Sequence, residues 1–288
     1  VEIMVEELRV LLRVERLAQL LLKADEEFGL RTPFDAITKL QAIISKARTD
    51  GTVVAALNNS IMTILPHLQA RNIKVDTQAD FVPLSGIANI PTFFAVPANS
   101  PIRTMADLIR RAREPGARIT YASGGVGSPQ HLATEMFKSF AKVDLTHVPY
   151  RGASQATLAV ASGEVDVMSM ALSLAQPFLA DGRVRLIGYC GPERHAQFRD
   201  IATLREQGVK NYDYSSWIAL FYHRDVPVDV AQALAAEAQS IAQDRDFQVQ
   251  LIRAGLEPWP RTVQELSAVV QADHRRWKGI IEQANIQG

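Results

Sequence analysis

The chain lacks several features that would mark particular classes of protein. Its single cysteine, Cys190, excludes an internal disulfide bond. Thirty-one basic residues balance 31 acidic ones, so no charge excess indicates binding to nucleic acid or to an anionic membrane. The longest uncharged run, residues 81–102, contains four prolines and cannot form a lipid-facing helix. The sequence also shows no internal repeat and no low-complexity tract.

What remains is a composition typical of a globular protein, 47% hydrophobic and 22% charged, over 288 residues. Domains usually span about 100–200 residues, so two domains are expected. Strand and helix patterns alternate, which predicts an α/β fold with parallel sheets. The clearest predicted strands are 53–57, 117–122, 144–149, 165–168 and 184–189, and the clearest helices are 104–113, 153–162, 174–180, 227–242 and 263–284. Two apolar strands, 93–96 and 217–221, flank the middle third and suit crossings between two lobes.

Glycine is scarce before residue 51, where only Gly29 occurs, but three glycines fall within the segment YASGGVGSPQH at 121–131. This segment lies between a predicted strand and a helix that begins near Ser128. Glycine lets the backbone approach a ligand, and the first N–H groups of a helix lack internal partners, so the segment is typical of an anion site. An ordinary strand-to-helix turn is the alternative. Neither nucleotide signature fits, because Ser128-Pro129 follows the last glycine and Gln130 stands where a dinucleotide fingerprint needs glycine.

Four residues of this segment are candidate ligand contacts. Ser123 and Ser128 offer hydroxyl groups, and Gly125 and Gly127 offer backbone N–H groups. Ser128 is equally suited to cap the helix, and the glycines to shape the turn. His131 is interpreted as a packed or hydrogen-bonding histidine, because no nucleophile or metal ligand lies near it in sequence.

Seven segments together resemble the Bug/TctC family, the extracytoplasmic solute-binding receptors of tripartite tricarboxylate transporters. They cover most of the chain from about residue 50 and are 121–132, 147–152 (HVPYRG), 163–168 (GEVDVM), 180–185 (ADGRVR), 203–208 (TLREQG), 216–221 (SWIALF) and 254–258 (AGLEP). Each is weak alone, and the set in this order is specific.

The resemblance implies a type II periplasmic binding protein fold. This fold has two α/β lobes, each a mainly parallel sheet flanked by helices, joined by two crossing strands. The expected lobes are residues 1–97 plus 221–288, and residues 98–220. The implied function is capture of a small organic carboxylate in the interlobe cleft and delivery to membrane transporter subunits. The implied ligand classes are di- and tricarboxylates, acidic amino acids and aromatic acids.

The same resemblance implies a periplasmic monomer that binds no nucleic acid, cofactor or metal and has no catalytic residue. No signal peptide precedes Val1 in the sequence as printed; processing after export and trimming of the chain both fit this start.

Further ligand contacts are expected on other segments. In the second strand-to-helix loop, Tyr150 offers a hydroxyl or a wall, and Gly152 and Ala153 offer N–H groups for a second carboxylate. Asp166 is interpreted either as an ammonium partner, as in amino-acid-binding relatives, or as an acid that caps a neighbouring loop. The remaining candidates are Ser169, beside the cleft, and Asn58 and Ser60 in the first lobe.

The first part of the chain departs from the family pattern. The family carries a proline- and glycine-rich loop after its opening strand, whereas residues 6–15 contain neither residue type. Residues 6–27 instead predict a charged amphipathic helix. The sequence therefore does not indicate which residues of this part of the first lobe contact the ligand.

Two other functions are compatible with parts of the sequence. One is a hydrolase that uses Ser123 or Ser128 with His131, which requires a base within reach of the serine. The other is the effector-sensing domain of a transcription regulator, although no helix-turn-helix pattern is visible.

Overall fold

A computed structural model describes residues 54–68 and 76–284. Within these residues the chain forms two compact units. Unit 1 contains residues 54–68, 76–89 and Trp217–Ile281, and unit 2 contains Ile90–Ser216. The lobe boundaries at 97/98 and 220/221 stay a prediction. The amphipathic helix predicted at 6–27, and the whole departure from the family pattern at 6–40, lie outside the described residues.

The elements alternate along the chain as an α/β protein requires. In the described residues the strands are β1 (Ala55–Asn58), β2 (Phe81–Ile90), β3 (Thr92–Pro97), β4 (Thr120–Ser123), β5 (Thr146–Pro149), β6 (Met168–Ala171), β7 (Val184–Tyr189), β8 (Ser216–His223) and β9 (Glu257–Arg261). The helices are α1 (Leu65–Leu68, preceded by a π-helical turn, Ser60–Ile64), α2 (Met105–Ala112), α3 (Pro129–Ala141), α4 (Ala153–Ser162), α5 (Leu172–Ala180), α6 (Val228–Gln243), α7 (Arg245–Arg253) and α8 (Val263–Ala284).

Unit 2 is built on strands that run mainly in one direction. β4 and β5 pair in parallel, and a parallel bridge between Tyr121 and Val167 joins β4 to the segment that leads into β6. β6 and β7 flank β3 and are antiparallel to it. The crossover helix α5 returns the chain so that β6 and β7 share one direction. The α/β fold predicted for this lobe is confirmed, but the pairing in its described strands is mixed: β4 and β5 pair in parallel, whereas β3 is antiparallel to both of its neighbours.

Unit 1 differs from the predicted parallel sheet. Its described strands have the order β1-β8-β2-β9, and both β1 with β8 and β2 with β9 pair antiparallel. β8 is the strand by which the chain returns from unit 2 to unit 1, and it runs opposite to β1. The core of the unit includes Trp217, 1% exposed, whose Nε1–H donates to Asp273 at 2.7 Å. Trp217 therefore packs inside unit 1.

Local signals placed several elements correctly. The predicted bounds of α4, α8 and β7 match those observed, and Gly163, with a φ of 79°, ends α4 as predicted. The strand predicted at 165–168 is misplaced, because β6 begins only at Met168. In the first half of the predicted strand, the carboxylate of Asp166 accepts the Thr120 N–H at 2.8 Å. The next residue, Val167, bonds to β4 through its backbone, but only as an isolated bridge.

None of the described helices is both long and apolar enough to cross a bilayer. In the same residues, no group of three or more His, Cys, Asp and Glu side chains is arranged to hold a metal ion.

Candidate functional site

The glycine loop, residues 123–128, connects β4 to α3 in unit 2. β4 ends at the fully buried Ser123, and Gly125 and Gly127 have φ angles of 116° and 77°, a region that favours glycine. Ser128 is the N-cap of α3 and Pro129 is its first residue, which pre-sets the helical φ. The predicted start of this helix is confirmed.

Hydrogen bonds within the loop engage both predicted glycine donors. The Gly125 N–H donates to Ser123 Oγ at 3.1 Å, and the Gly127 N–H donates to Nδ1 of His131 at 3.1 Å. Ser128 Oγ accepts the His131 N–H at 3.4 Å. In the structure these two glycines therefore hold the shape of the loop, and their role as direct ligand donors stays a prediction.

The second loop, residues 149–153, connects β5 to α4 and lies against the glycine loop. The Tyr150 N–H donates to the Ser123 carbonyl at 2.9 Å. A Cβ atom on Gly124 would lie 2.9 Å from the Ala153 nitrogen, closer than real Cβ contacts allow. Gly152, with a φ of 112°, caps α4 without any side-chain hydrogen bond. The loops therefore approach one another through glycine backbone.

This arrangement brings together the first turns of α3 and α4, where no acidic side chain compensates the helix dipole. Neither α3 nor α4, both in the described part of unit 2, has an acidic residue in its first turn. By contrast, Asp107, Asp229, Asp246 and Glu265 occupy the first turns of α2, α6, α7 and α8. The first turns of α1 and α5 also lack an acidic residue, so it is the proximity of α3 and α4 that distinguishes this pair. The partial positive charge and unpaired N–H groups at a helix start favour a bound anion. Two such starts in adjacent loops can hold a carboxylate without an arginine.

The other unit 2 candidates make contacts within the protein. The Tyr150 hydroxyl donates to Glu164 at 2.8 Å; burial and this carboxylate raise its pKa to about 12, so it stays protonated. Asp166 accepts both the N–H and the hydroxyl of Thr120, the first residue of β4, and not a group of a neighbouring loop. Ser169 is fully buried and donates to the Gln130 carbonyl at 3.1 Å. Their ligand roles stay predictions.

The unit 1 candidates lie at the end of β1. The Asn58 Oδ1 accepts the Ile61 N–H at 3.1 Å and so caps the π-helical turn. Ser60 is 5% exposed, and its hydroxyl has no hydrogen-bond partner in the described residues. Ser60 therefore keeps a buried polar group for another partner, because such groups are costly when left unpaired.

Two residues of the site were missed at the sequence level, Gly124 and His147. His147 follows Ser123 by 24 positions, and its Nε2 lies 2.6 Å from Ser123 Oγ. The HVPY segment was recognised, but nothing in its spacing indicated which side chain it would meet. His131, by contrast, has the packed, hydrogen-bonding role that was predicted.

The surroundings of His131 and His147 keep both side chains neutral at pH 7. Burial lowers the pKa of His131, and burial together with the nearby His131 lowers the pKa of His147 to about 4. The predicted pairing of His131 with a serine hydroxyl is not the one observed, because its Nδ1 accepts the Gly127 N–H and it is His147 that meets Ser123.

A sequence profile described as the tripartite tricarboxylate transporter family receptor, TctC, matches residues 36–286. The chain belongs to this family. Among curated TctC relatives, a UPF0065 protein of Bordetella pertussis is 29% identical over 246 residues, which is 85% of this chain and 75% of the relative. The family explains why seven short motifs recur in one order.

Solved structures share this receptor fold. R. palustris Rpa4515 with adipate is 26% identical, covers 89% of this chain and 85% of its own, and has a TM-score of 0.81. MatC from Rhodopseudomonas palustris with bound malate has a TM-score of 0.76 at 21% identity, covering 92% and 94% of the two chains. The periplasmic binding protein BugD gives 0.75 at 20% identity, covering 86% and 83%. The two-lobe periplasmic binding protein fold expected from the sequence is confirmed.

Proposed function

We propose that this TctC family receptor captures a small organic carboxylate at the glycine loop and the second loop, and delivers it to the membrane subunits of a tripartite transporter. The observation that carries the proposal is the meeting of two acid-free helix starts, those of α3 and α4, at glycine backbone. A carboxylate satisfies several unpaired N–H groups at once, and charge-assisted hydrogen bonds are the strong ones.

Two of the similar solved structures support a dicarboxylate as the ligand. Rpa4515 is described with adipate and MatC with malate, both dicarboxylates. A dicarboxylate has one carboxylate for the starts of α3 and α4 and a second for donors elsewhere in the receptor. We therefore place dicarboxylates ahead of acidic amino acids and aromatic acids for this chain.

The assignment of contacts follows from which groups are already engaged. We assign the N–H groups of Gly124, Gly152 and Ala153, together with the Ser128 hydroxyl, to the carboxylate. Gly125 and Gly127 shape the loop.

The receptor we propose is exported to the periplasm, monomeric and not catalytic. The Ser123–His147 contact is the one observation in favour of a hydrolase. Ser123 is fully buried, however, and its hydroxyl is also bonded to Gly125. In the described residues no carboxylate is hydrogen-bonded to His147 to orient it as a base. The geometry is that of a structural bond.

The test is a binding panel on the purified chain. Adipate, malate, citrate, glutamate and benzoate are titrated by calorimetry and by thermal shift, with hexylamine as a cationic control. At least one dicarboxylate should bind, and at 100 times its Kd it should stabilise the folded chain by about 2.7 kcal/mol. A folded chain that binds none of these acids would contradict the proposal. Ester hydrolysis that disappears in Ser123→Ala would instead support the hydrolase.

A further inference from the structure

Behind the glycine loop three rings form a stack, here called the imidazole column: Tyr121, His147 and His131. The ring centroids of Tyr121 and His147 are 4.7 Å apart with planes 13° from parallel, and those of His147 and His131 are 4.6 Å apart. Tyr121 and His131 are 0% and 7% exposed. The column comes from β4, β5 and α3, the three elements that bound the loop.

The column bonds to Gly127 directly and is linked to Gly125 through the Ser123 hydroxyl. His131 Nδ1 accepts the Gly127 N–H, and because a backbone N–H can only donate, this nitrogen must carry a lone pair. His147 Nε2 lies 2.6 Å from Ser123 Oγ, which in turn accepts the Gly125 N–H. The two histidines therefore fix the two residues whose backbone conformation defines the loop.

Charged groups face the column on one side. On α3, Glu135 accepts the Tyr121 hydroxyl at 2.6 Å and pairs with Lys138 at 2.8 Å. Lys138 also lies 5.6 Å from the Tyr121 ring centroid and 3.5 Å from the exposed Asp144, in the segment before β5. Glu135 favours a protonated histidine, whereas Lys138 and burial disfavour it. The pKa of both histidines lies below its ordinary value, so the column is neutral at pH 7.

We propose that His131 and His147 are positioning residues that, as neutral imidazoles, hold the glycine loop in its ligand-accepting form, and that acid opens the loop and releases the carboxylate. The release step rests on the proposed function; the loop-holding step does not. Protonated His131 would place an N–H on Nδ1 against the Gly127 N–H, and two donors repel. Protonated His147 beside it would add a second, half-buried positive charge, with the two ring centroids 4.6 Å apart.

The first experiment reads the loop without any ligand. In ¹⁵N-labelled protein at pH 7.5, hydrogen exchange of the Gly127 amide is compared among the wild type, His131→Asn and His131→Leu. Asn places a carbonyl oxygen near the position of Nδ1 and does not titrate, whereas Leu fills the space without an acceptor. Protection of Gly127 should be retained in His131→Asn and should fall about tenfold or more in His131→Leu. Equal protection in all three proteins would overturn the loop-holding step.

The second experiment reads acid release with adipate as the probe. The Kd is measured from pH 7.5 to 4 for the wild type and for the double variant His131→Asn, His147→Gln, in which both imidazoles are replaced by neutral amides. Adipate itself titrates in this range, so the ratio of the two Kd values is the readout. Relative to its value at pH 7.5, the ratio of the wild-type Kd to the variant Kd should rise about tenfold near pH 4. A constant ratio would overturn acid release.

The two experiments separate this inference from the proposed function. If adipate binds neither protein, the proposed function fails for adipate, and acid opening is then read from the ¹⁵N shift of His131 Nδ1 and from Gly127 exchange. Loss of Gly127 protection in step with protonation of His131 supports the inference. A Gly127 amide that stays protected when His131 is protonated overturns it.

Discussion

At the scale of single residues, the site depends on where glycine is the only residue that fits. Gly124 has no positive φ to require glycine, so its need for a hydrogen in place of a side chain comes from contact alone: a Cβ would lie 2.9 Å from the Ala153 nitrogen. Gly127 is a poorer target, because its φ of 77° makes any side chain strained whatever its neighbours. A variant of Gly124 therefore tests the approach of the two loops directly.

Gly124→Ala should lower the affinity for adipate about tenfold or more, because the methyl group separates the two loops and occupies space beside the Ala153 N–H. Calorimetry measures the Kd and urea unfolding measures the stability. The matched control is Gly279→Ala in α8, where a Cβ meets nothing within 4 Å. That control should keep the affinity and gain up to about 1 kcal/mol of stability. A Gly124→Ala protein that is destabilised but binds normally would show that the loop is only a turn.

At the scale of elements, the helix starts divide into two kinds. α2 begins as an isolated helix would: Thr104 Oγ1 accepts the Asp107 N–H at 3.0 Å, and Asp107 compensates the dipole. α3 begins at Ser128 with a longer bond of 3.4 Å and no acid in its first turn. The start of α2 is satisfied by its own residues, whereas that of α3 has no acidic residue to compensate its dipole, as the proposed anion site requires.

Thr104→Ala and Ser128→Ala should therefore differ in what they disturb. Loss of the Thr104 cap should cost about 1 kcal/mol of unfolding free energy and leave the adipate Kd unchanged. Loss of the Ser128 hydroxyl should cost less stability, since its cap bond is longer, and weaken binding about tenfold, since it removes a hydrogen bond to a charged group. Urea unfolding and calorimetry on both variants check this. An unchanged Kd in Ser128→Ala would restrict that serine to capping.

At the scale of the whole chain, four histidines with lowered pKa values make folding depend on pH in mild acid, and Glu257, whose pKa burial raises, acts in the opposite direction. Burial lowers the pKa of His131, His195 and His274, and lowers that of His147 to about 4. Between about pH 6.5 and 4 the unfolded chain therefore binds more protons than the folded one, so stability falls as the pH falls through this window. Above it these groups are neutral in both states and contribute no slope.

The urea midpoint should accordingly be constant from pH 8 to 7 and should decrease steadily from pH 6.5 to 4.5. Tryptophan fluorescence, reporting the buried Trp217 and Trp277, gives the midpoint. Replacing His131 by Asn and His147 by Gln should make this decrease shallower, because two of the proton-binding groups are removed. A midpoint that does not change between pH 7 and 5 would contradict the buried, neutral state of these side chains.

Much of the fold follows from local chemistry and was therefore predictable. Gly163 ends α4 because glycine adopts a φ of 79° without strain, and Ser128-Pro129 begins α3 because serine caps and proline pre-sets φ. Where a side chain reached a distant strand the prediction failed. Asp166 bonds Thr120, 46 positions away, and β6 begins only at Met168, where the chain pairs with β3.

By itself the sequence determined the order of elements, the family and the position of the glycine loop before α3, because these depend on backbone freedom, helix starts and short motifs that any chain displays locally. Only the tertiary structure decided which groups are left for a ligand. It places Nε2 of His147 at Ser123 and Nδ1 of His131 at Gly127, and it sets Gly124 against Ala153. Contacts between different elements depend on how those elements pack, and packing is set by the whole core of unit 2 at once. The glycines named from sequence as donors thus shape the loop, and the proposed donors lie beside them.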